Sequence, residues 1–212
     1  MYTGIVQALV PVVSVETKPG LTTYAVELPE ALVAGLKLGA SVSIDGVCQT
    51  VVRIDGPRVT FDAMAETLRK TTIATVAQGR LVNVERSATT GDEIGGHALA
   101  GHVTGTAEIV DVSVHENNRT VTFRVPEAWM NYILPQGFIA LDGASLTIVD
   151  IDRAQATFRV SFIPETLRRT TFGFRREGER VNVEIDSRTQ IIVETVERVL
   201  AQMALKAALN SP

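Results

Sequence analysis

The stretch Asp142-Gly143-Ala144-Ser145-Leu146-Thr147-Ile148-Val149 has a counterpart 97 residues earlier, Asp45-Gly46-Val47-Cys48-Gln49-Thr50-Val51-Val52. Each copy begins with Asp-Gly, a turn signal, and continues into β-branched residues, which is typical of a strand after a tight turn. Because side chains two apart on a strand point to one face, Ser145 and Thr147 share a face. Cys48 and Thr50 do the same in the other copy. Each strand therefore predicts a small nucleophilic group beside a threonine hydroxyl.

Further matches extend this repeat along the chain in the same order, which indicates a gene duplication. The matched blocks are Thr3-Gly4 with Thr104-Gly105, Glu66-Thr67-Leu68-Arg69-Lys70-Thr71-Thr72 with Glu165-Thr166-Leu167-Arg168-Arg169-Thr170-Thr171, and Val82-Asn83-Val84-Glu85 with Val181-Asn182-Val183-Glu184. A chain of 212 residues has room for two domains of about 100 residues, each with its own core.

Short runs of alternating apolar and polar residues, such as 23–28 and 120–125, are separated by Gly, Pro, Asn or Asp. This is the pattern of a small antiparallel barrel. Only short helices are predicted within the repeats, at 29–36 and 126–134, each beginning with a proline. We predict an all-β fold of two tandem, homologous, six-stranded, Greek-key-like antiparallel barrels plus a C-terminal α-helix. The expected boundaries are 1–97 and 98–187 for the barrels and 188–212 for the helix.

The final segment has the pattern of an amphipathic helix. Ser187 and Gln190 resemble a capping box at its start. Apolar residues then form one stripe, namely Ile192, Val196, Val199, Leu200, Met203 and Ala207. Small residues at Ala201, Ala204, Ala207 and Ala208 allow close helix contact. The stripe packs either on its own barrel or against identical helices in an oligomer, and the pattern alone allows both.

Composition excludes several classes of function. With 20 Lys and Arg against 24 Asp and Glu, the chain lacks the basic footprint of a protein that binds nucleic acid or an anionic membrane. A single cysteine cannot form an internal disulfide, which favours a reducing compartment and a soluble, cytoplasmic protein. Phosphate-loop, zinc-hydrolase and dinucleotide-binding motifs are missing, so neither a metal nor a nucleotide cofactor is predicted.

The remaining candidates for chemistry are few. His97 and His102 lie in the Gly-rich stretch 91–102, either as turn residues bonded to backbone carbonyls or as groups that move protons. Asp186 is either a helix cap or a carboxylate that orients a polar network. The equivalence of Cys48 and Ser145 suits a reaction between two copies of one substrate, and it equally suits a two-site binding protein.

In combination, these motifs resemble the riboflavin synthase family over the whole chain. The residues that carry the resemblance are Met1-Tyr2-Thr3-Gly4-Ile5-Val6, Asp45 to Val51, Glu66 to Arg69, Gly95-Gly96-His97, Gly101-His102, Asp142 to Thr147 and Ile163 to Thr166. The resemblance implies a transferase that dismutates two molecules of 6,7-dimethyl-8-ribityllumazine without cofactor or metal. Transfer of a four-carbon unit gives riboflavin and 5-amino-6-ribitylamino-uracil, the last step of riboflavin biosynthesis. It also implies a homotrimer with the final helix as the contact, an active site between barrels of neighbouring subunits, and a possible association with lumazine synthase.

The resemblance also implies which residues surround the two lumazines. The first set comprises Gly4, Ile5, Val6, Cys48, Gln49, Thr50, Asp62, Ala63, Met64, Ala65, Glu66 and Thr67. The second set comprises Gly101, His102, Val103, Ser145, Leu146, Thr147, Ser161, Phe162, Ile163, Pro164, Glu165 and Thr166, with Gln136 at a position that usually holds Lys. We expect His102 and Ser145, with Thr147, to transfer protons and polarise the substrate. Cys48 is expected to act as nucleophile or proton relay, and Asp186 to orient the network.

Five positions depart from the family pattern: Tyr2, Asp45, Gln49, Ala100 and Gln136. The changes at Gln49 and Gln136 affect the expected pocket walls, and none removes a residue that we expect to be chemical. The alternative function is a non-catalytic lumazine- or flavin-binding protein of the same fold, similar to bioluminescence antenna proteins. Retention of both histidines, Cys48, Ser145 and Thr147 favours the enzyme.

Overall fold

The computed structural model describes residues 1–115 and 118–209, which form two closed, six-stranded antiparallel barrels followed by a helix. This confirms the predicted fold class. The strands of the first barrel are β1 (Ala8–Lys18), β2 (Leu21–Glu27), β3 (Ser41–Ile44), β4 (Val47–Asp55), β5 (Arg58–Met64) and β6 (Leu81–Arg86). Those of the second barrel are β7 (Gly105–His115), β8 (Asn118–Arg124), β9 (Phe138–Leu141), β10 (Ala144–Asp152), β11 (Thr157–Phe162) and β12 (Arg180–Ile185).

The two barrels repeat one topology down to its irregularities. Strands follow the order β1-β2-β5-β4-β3-β6 in the first barrel, and the second barrel has the corresponding order. Each long strand carries a bulge at the equivalent place, between Val51 and Arg53 in β4 and between Ile148 and Asp150 in β10. Because bulges increase the local twist, these irregularities help short sheets to close on themselves.

Alternation along β4 and β10 decides what faces each core. Val47, Gln49 and Val51 are buried, whereas Cys48 is half-buried and Thr50 is exposed. In β10 the same pattern places Ala144, Leu146 and Ile148 in the core of the second barrel. Each barrel has its own apolar cluster, as two domains with separate cores require.

Two short segments cross between the barrels, and we call them the first crossing segment (residues 2–6) and the second crossing segment (residues 99–103). Val6 packs in the core of the second barrel, and Val103 packs against the core of the first. The Ser145 amide donates to Gly4 O at 2.8 Å, and the Cys48 amide donates to Gly101 O at 2.9 Å. Each barrel is therefore completed by a segment that precedes the other one.

The crossing corrects one repeat assignment. Gly4 and Gly101 have φ values of 76° and 77°, and their carbonyl oxygens accept equivalent hydrogen bonds. The counterpart of Thr3-Gly4 is therefore Ala100-Gly101, and the match to Thr104-Gly105 was wrong. Two identical residues are too few to decide which segments of the repeat are equivalent. The left-handed glycine and the hydrogen bond to its carbonyl define the equivalence of 3–4 with 100–101. The boundary between 97 and 98 stays a prediction.

The barrels meet back to back through their Asp-Gly turns. A Cβ atom added to Gly46 would lie 2.6 Å from Gly143 N, so only glycine permits this approach. Asn83 donates to Asp142 O at 2.9 Å, and Asn182 donates to Asp45 O at 2.8 Å. These reciprocal bonds fix the two turns in one relative position.

The helices within the barrels are shorter than predicted. The segment 29–36 forms only α1 (Glu30–Val33), and 126–134 forms a 3-10 turn over Glu127–Asn131. Two further short helices, α2 (Ala65–Lys70) and α3 (Pro164–Arg169), follow β5 and β11. Closed barrels need no covering helix, so these pieces serve as connections.

The long C-terminal helix α4 (Ser187–Leu209) is present, and residues 210–212 of the predicted helix lie outside the described residues. Its cap is Asp186, whose carboxylate accepts from Arg188 N at 3.3 Å and Thr189 N at 3.2 Å. The predicted capping role of Ser187 is wrong by one position, and the cap interpretation of Asp186 is confirmed. None of the described helices is long and apolar enough to cross a membrane.

Candidate active site

Each barrel presents an outer face on its β4–β5 or β10–β11 pair. The N-terminal face comprises Cys48, Thr50, Asp62 and Met64, and the C-terminal face comprises Ser145, Thr147, Ser161 and Ile163. Met64 and Ile163, at equivalent positions, are each 62% exposed. Large exposed apolar side chains next to hydroxyl groups are typical of a surface that a ligand or partner covers.

Polar groups on both faces are already oriented by neighbouring strands. Thr23 donates to Asp62 at 2.6 Å on the N-terminal face. On the C-terminal face, the hydroxyls of Thr120 and Ser161 lie 3.0 Å apart. The two faces thus have equivalent frameworks, with a carboxylate on one and a hydroxyl on the other.

On the C-terminal face, His97 contacts Ser145. The distance from His97 Nδ1 to Ser145 Oγ is 2.6 Å. The imidazole is 8% exposed and stacks on Phe138 with ring centroids 5.1 Å apart. Burial lowers the pKa of His97, although the negative charge of Asp186 partly opposes this effect. At neutral pH the imidazole is therefore neutral, and its Nδ1 can accept the Ser145 hydrogen.

This histidine is not the one that the sequence favoured for catalysis. His102 lies on the second crossing segment with an exposed side chain, and its charge acts on Glu184. The structure therefore brings His102 to the barrel that carries Cys48 and pairs Ser145 with His97. The Gly95-Gly96-His97 motif marked His97 as a candidate. The Gly-rich segment has no periodicity, so the sequence does not predict which barrel the His97 side chain faces.

On the N-terminal face, Cys48 is held by a different partner. Tyr2 of the first crossing segment donates its hydroxyl to Cys48 Sγ at 3.2 Å. The Tyr2 side chain is fully buried, and this burial, followed by the bond to Cys48, raises its pKa well above the usual range. The phenol therefore stays protonated at any physiological pH.

Two glutamates that the sequence analysis did not select hold the crossing segments. Glu85 accepts from Thr3 N at 2.6 Å and Gly4 N at 3.1 Å. Glu184 accepts from Ala100 N at 2.7 Å and Gly101 N at 2.9 Å. Burial raises the pKa of both carboxyls. The repeated Val-Asn-Val-Glu block was the available signal for this pair.

The crossing segments also change the expected grouping of binding residues. Residues 4–6 were expected beside Cys48, and residues 101–103 beside Ser145. Hydrogen bonds to Gly4 O and Gly101 O instead join 4–6 to Ser145 and 101–103 to Cys48. The expectation failed because sequence proximity places 4–6 with the first barrel, whereas the chain carries them to the second.

Several of the expected binding residues direct their side chains away from these faces. Gln49, Ala63, Leu146 and Phe162 are buried on the core side of their strands. Gln49 donates to the Cys48 carbonyl at 3.1 Å. Alternation places the side chain of each of these residues opposite to its neighbours in the faces, so only their backbone groups can reach a ligand there.

The other expected binding residues lie around the rims. Glu66 is exposed and Glu165 is half-buried, and both pair with basic residues on their own helices. Arg69, followed by Lys70, lowers the pKa of Glu66 to about 2. Ala65 and Pro164 begin α2 and α3, in which Thr67 and Thr166 accept bonds on their carbonyls. Gln136, with φ of 63°, lies in the turn before β9.

A separate groove lies elsewhere on the chain. A groove of about 780 Å³ between the barrels is lined by basic residues that include Arg80, Arg175 and Arg180. Arg80 and Arg175 are paired with the buried carboxylates of Asp45 and Asp142, at 2.9 and 2.6 Å. Because these cations already have partners within the chain, we place the candidate chemistry on the two faces that carry Cys48 and Ser145.

Comparison with known proteins follows this division into two repeats. The family model described as "Lumazine binding domain" matches residues 3–87 and again 100–186. Riboflavin synthase from Escherichia coli (strain K12) is 49% identical over 213 residues, covering 100% of this chain and 98% of that protein. The chain belongs to the riboflavin synthase family. The predicted resemblance is confirmed, and both matches begin at the positions, 3 and 100, that the crossing segments make equivalent.

Another riboflavin synthase and two solved structures are also similar to this chain. The Chlamydia pneumoniae riboflavin synthase is 44% identical, covering 95% of this chain and 98% of that protein. LumP complexed with 6,7-dimethyl-8-(1'-D-ribityl) lumazine has a TM-score of 0.78 at 25% identity. LumP complexed with riboflavin has a TM-score of 0.80 at 27% identity. The two LumP chains are covered over 98% and 99% of their length, against 87% of this chain.

Proposed function

We propose that this protein is a riboflavin synthase that converts two molecules of 6,7-dimethyl-8-ribityllumazine into riboflavin and 5-amino-6-ribitylamino-uracil. One observation carries the proposal beyond family membership. Two equivalent faces present a thiol and a hydroxyl at one strand position, each bonded to a different partner. Such a pair can bind two identical substrates and treat them differently, as a dismutation requires. Transfer of a four-carbon unit balances without an oxidant, so the reaction needs no cofactor.

The C-terminal face supplies the base. Ser145 donates its hydrogen to neutral His97, which leaves oxygen lone pairs directed at a bound lumazine. As the acidic C7 methyl of that lumazine loses a proton to Ser145, the serine hydrogen passes to His97 Nδ1. The charge of Asp186 stabilises the imidazolium that forms. General base catalysis of this kind contributes typically 10²–10⁴-fold to the rate.

The N-terminal face holds the second lumazine. Cys48 acts there as nucleophile or proton relay, with Thr50 beside it and His102 on the adjoining crossing segment. Thr147 holds the corresponding place on the C-terminal face. Fixing two substrates face to face can itself lower the barrier by roughly 7–11 kcal/mol.

A homotrimer would bring the two faces together. Within one chain the barrels meet through their Asp-Gly turns, and both faces remain open. Helix α4 leaves an apolar stripe uncovered, with Ile192, Val196 and Met203 all more than half exposed. Its polar contacts to the barrel are Asn131 with Glu197 and Tyr132 with Glu194. We propose that three α4 helices associate and place the N-terminal face of one subunit against the C-terminal face of its neighbour.

Sedimentation tests this assembly. A chain that ends at Ser187 should lose the trimer, whereas an unchanged mass would exclude α4 as the contact. The side chains of Ala207, in the predicted stripe, and of Ala208, among the predicted small residues, lie outside the described residues. A cytoplasmic location and an association with lumazine synthase stay predictions from the sequence.

The deciding experiment is to incubate the purified protein with 6,7-dimethyl-8-ribityllumazine alone. Equimolar riboflavin and 5-amino-6-ribitylamino-uracil are the expected products. The second candidate function, a lumazine carrier, is suggested by the likeness to LumP complexes. It predicts tight binding without riboflavin, and that result would overturn the proposed activity.

A further inference from the structure

The hydrogen bond between Tyr2 and Cys48 joins a fully buried phenol to the one cysteine of the chain. Its length of 3.2 Å is normal for a bond to sulfur. The Tyr2 backbone is fixed independently, because it exchanges hydrogen bonds with Leu99 at 2.8 and 3.0 Å. The hydroxyl therefore has a defined position from which to donate to Cys48.

A thiol carries a single hydrogen, and this limits what Cys48 can do. The Tyr2 hydroxyl donates to Cys48 Sγ, so the sulfur is the acceptor in this bond, and burial keeps the phenol protonated by raising the pKa of Tyr2. The thiol hydrogen must then point elsewhere. Cys48 is half-buried against Tyr2 and Leu99, and alternation along β4 places its side chain on the N-terminal face with Thr50.

We propose that Tyr2 is a positioning residue for the reaction, whose hydroxyl holds the Cys48 sulfur as an acceptor and turns the thiol hydrogen toward the ligand. The N-terminal face then becomes the proton-donating half of the site, opposite the Ser145–His97 base. This inference rests on the proposed function. It assigns different proton roles to the two lumazines.

The equivalent position in the other half supports this assignment. Leu99 corresponds to Tyr2, and an aliphatic side chain cannot donate to Ser145. Ser145 instead bonds to His97, whose Nδ1 lies 2.6 Å from Ser145 Oγ. The fold therefore places a phenol that donates beside Cys48 and an imidazole beside Ser145, and the Nδ1 of the neutral imidazole can accept.

Other charged groups lie near Cys48, and their effect on the thiol is the same in each of the variants compared below. Glu85 acts on Tyr2 through its charge, and Glu184 holds the amide of Gly101, whose carbonyl accepts from Cys48 N. His102 adjoins Glu184 on the second crossing segment. None of these groups is altered when only the phenolic oxygen is removed.

The test is Tyr2→Phe, measured first by alkylation of Cys48 with iodoacetamide across a pH series. A donor to sulfur stabilises the thiolate, so its loss should move the alkylation profile to higher pH. Near neutral pH, the alkylation rate should fall about threefold to tenfold, the effect of one neutral hydrogen bond. The kcat for lumazine conversion should fall by a similar factor while KM stays unchanged.

Tyr24→Phe is the matched control. The Tyr24 hydroxyl is buried in the same barrel and has no hydrogen-bond partner among the described residues. Its removal should leave the alkylation profile and kcat as in the original protein. An unchanged profile in Tyr2→Phe, or equal shifts in both variants, would overturn the role of Tyr2. Alkylation does not depend on turnover, so this failure is distinguishable from an absence of riboflavin synthase activity in the unmodified protein.

Discussion

The two faces show how one backbone can carry two chemistries. Cys48 and Ser145 occupy the same place on equivalent strands, and the amide of each donates to the carbonyl of a left-handed glycine. They differ in what lies behind them, a permanently protonated phenol in one case and a neutral imidazole in the other. Duplication thus preserved the geometry, while the non-equivalent partners made the two faces different.

The largest expected effect on turnover comes from removing the imidazole of His97, which serves the C-terminal face. His97→Gln should lower kcat by about 10²-fold, because Ser145 loses the imidazole that is placed to take its hydrogen. His102→Gln is the matched variant, and its loss should be smaller, since His102 adjoins the other face. Steady-state kinetics with the lumazine compare the two. Equal losses in both variants would show that the contact at 2.6 Å is not the catalytic one.

Exchanging the two groups should have the next largest effect. The double variant Cys48→Ser and Ser145→Cys keeps the backbone of both strands. It places a hydroxyl beside Tyr2 and a thiol beside His97. We expect kcat to fall about tenfold, as the loss of one charge-assisted or two neutral hydrogen bonds would give. If the faces were interchangeable, turnover would be retained. The single variants, measured alongside, show which face is the more sensitive.

The carboxylates beneath the crossing segments should affect binding more than chemistry. The Glu85 carboxylate accepts hydrogen bonds from Thr3 N, Thr3 Oγ1 and Gly4 N. Glu85→Gln replaces one of its two accepting oxygens with an amide nitrogen that cannot accept. Glu184→Gln does the same to the carboxylate that accepts from Ala100 N and Gly101 N. We expect KM to rise about threefold to tenfold in each, through looser crossing segments. A change in kcat alone would contradict this role.

The last expected effect is on stability rather than turnover, and it concerns the junction between the barrels. Burial, followed by the charge of Asp142, raises the pKa of Asp45 to about 7 although Arg80 opposes this. The folded protein therefore binds this proton more tightly than the unfolded chain does. The free energy of unfolding should fall as pH rises from about 4 to about 7, by on the order of 4 kcal/mol, and then level off.

Denaturation of Asp45→Asn at several pH values checks this. An amide cannot titrate, so the slope should become flatter in that range. Asp142→Asn should reduce the slope partly, because it removes the second cause of the raised pKa. A slope unchanged in both variants would mean that another group is responsible.

Sequence reasoning predicted the architecture because its determinants are local. Period-two alternation marked the strands, and duplication supplied the same signal twice. Alternation also places the side chains of Gln49 and Leu146 on the face opposite Cys48 and Ser145. Both side chains are buried toward the cores.

The partners of the chemical groups could not be predicted in this way. His97 and Ser145 are 48 residues apart, and Tyr2 and Cys48 are 46 apart. Both contacts depend on where irregular segments run after the barrels have closed. Neither hydrophobic pattern nor turn chemistry specifies that path, so the sequence favoured His102, and the roles of all these residues stay proposals.

The crossing segments set an order for biosynthesis. Residues 2–6 leave the ribosome long before β10 exists, and the first barrel is synthesised before residues 99–103 can cover its Cys48 edge. During translation the first barrel therefore lacks the segment that covers its rim. Residues 2–6 have no binding surface until the second barrel has been synthesised. The Ser145 half has no such delay, because its covering segment is already present when β10 emerges. The nascent chain thus completes its proton-abstracting half around a crossing segment that was synthesised first.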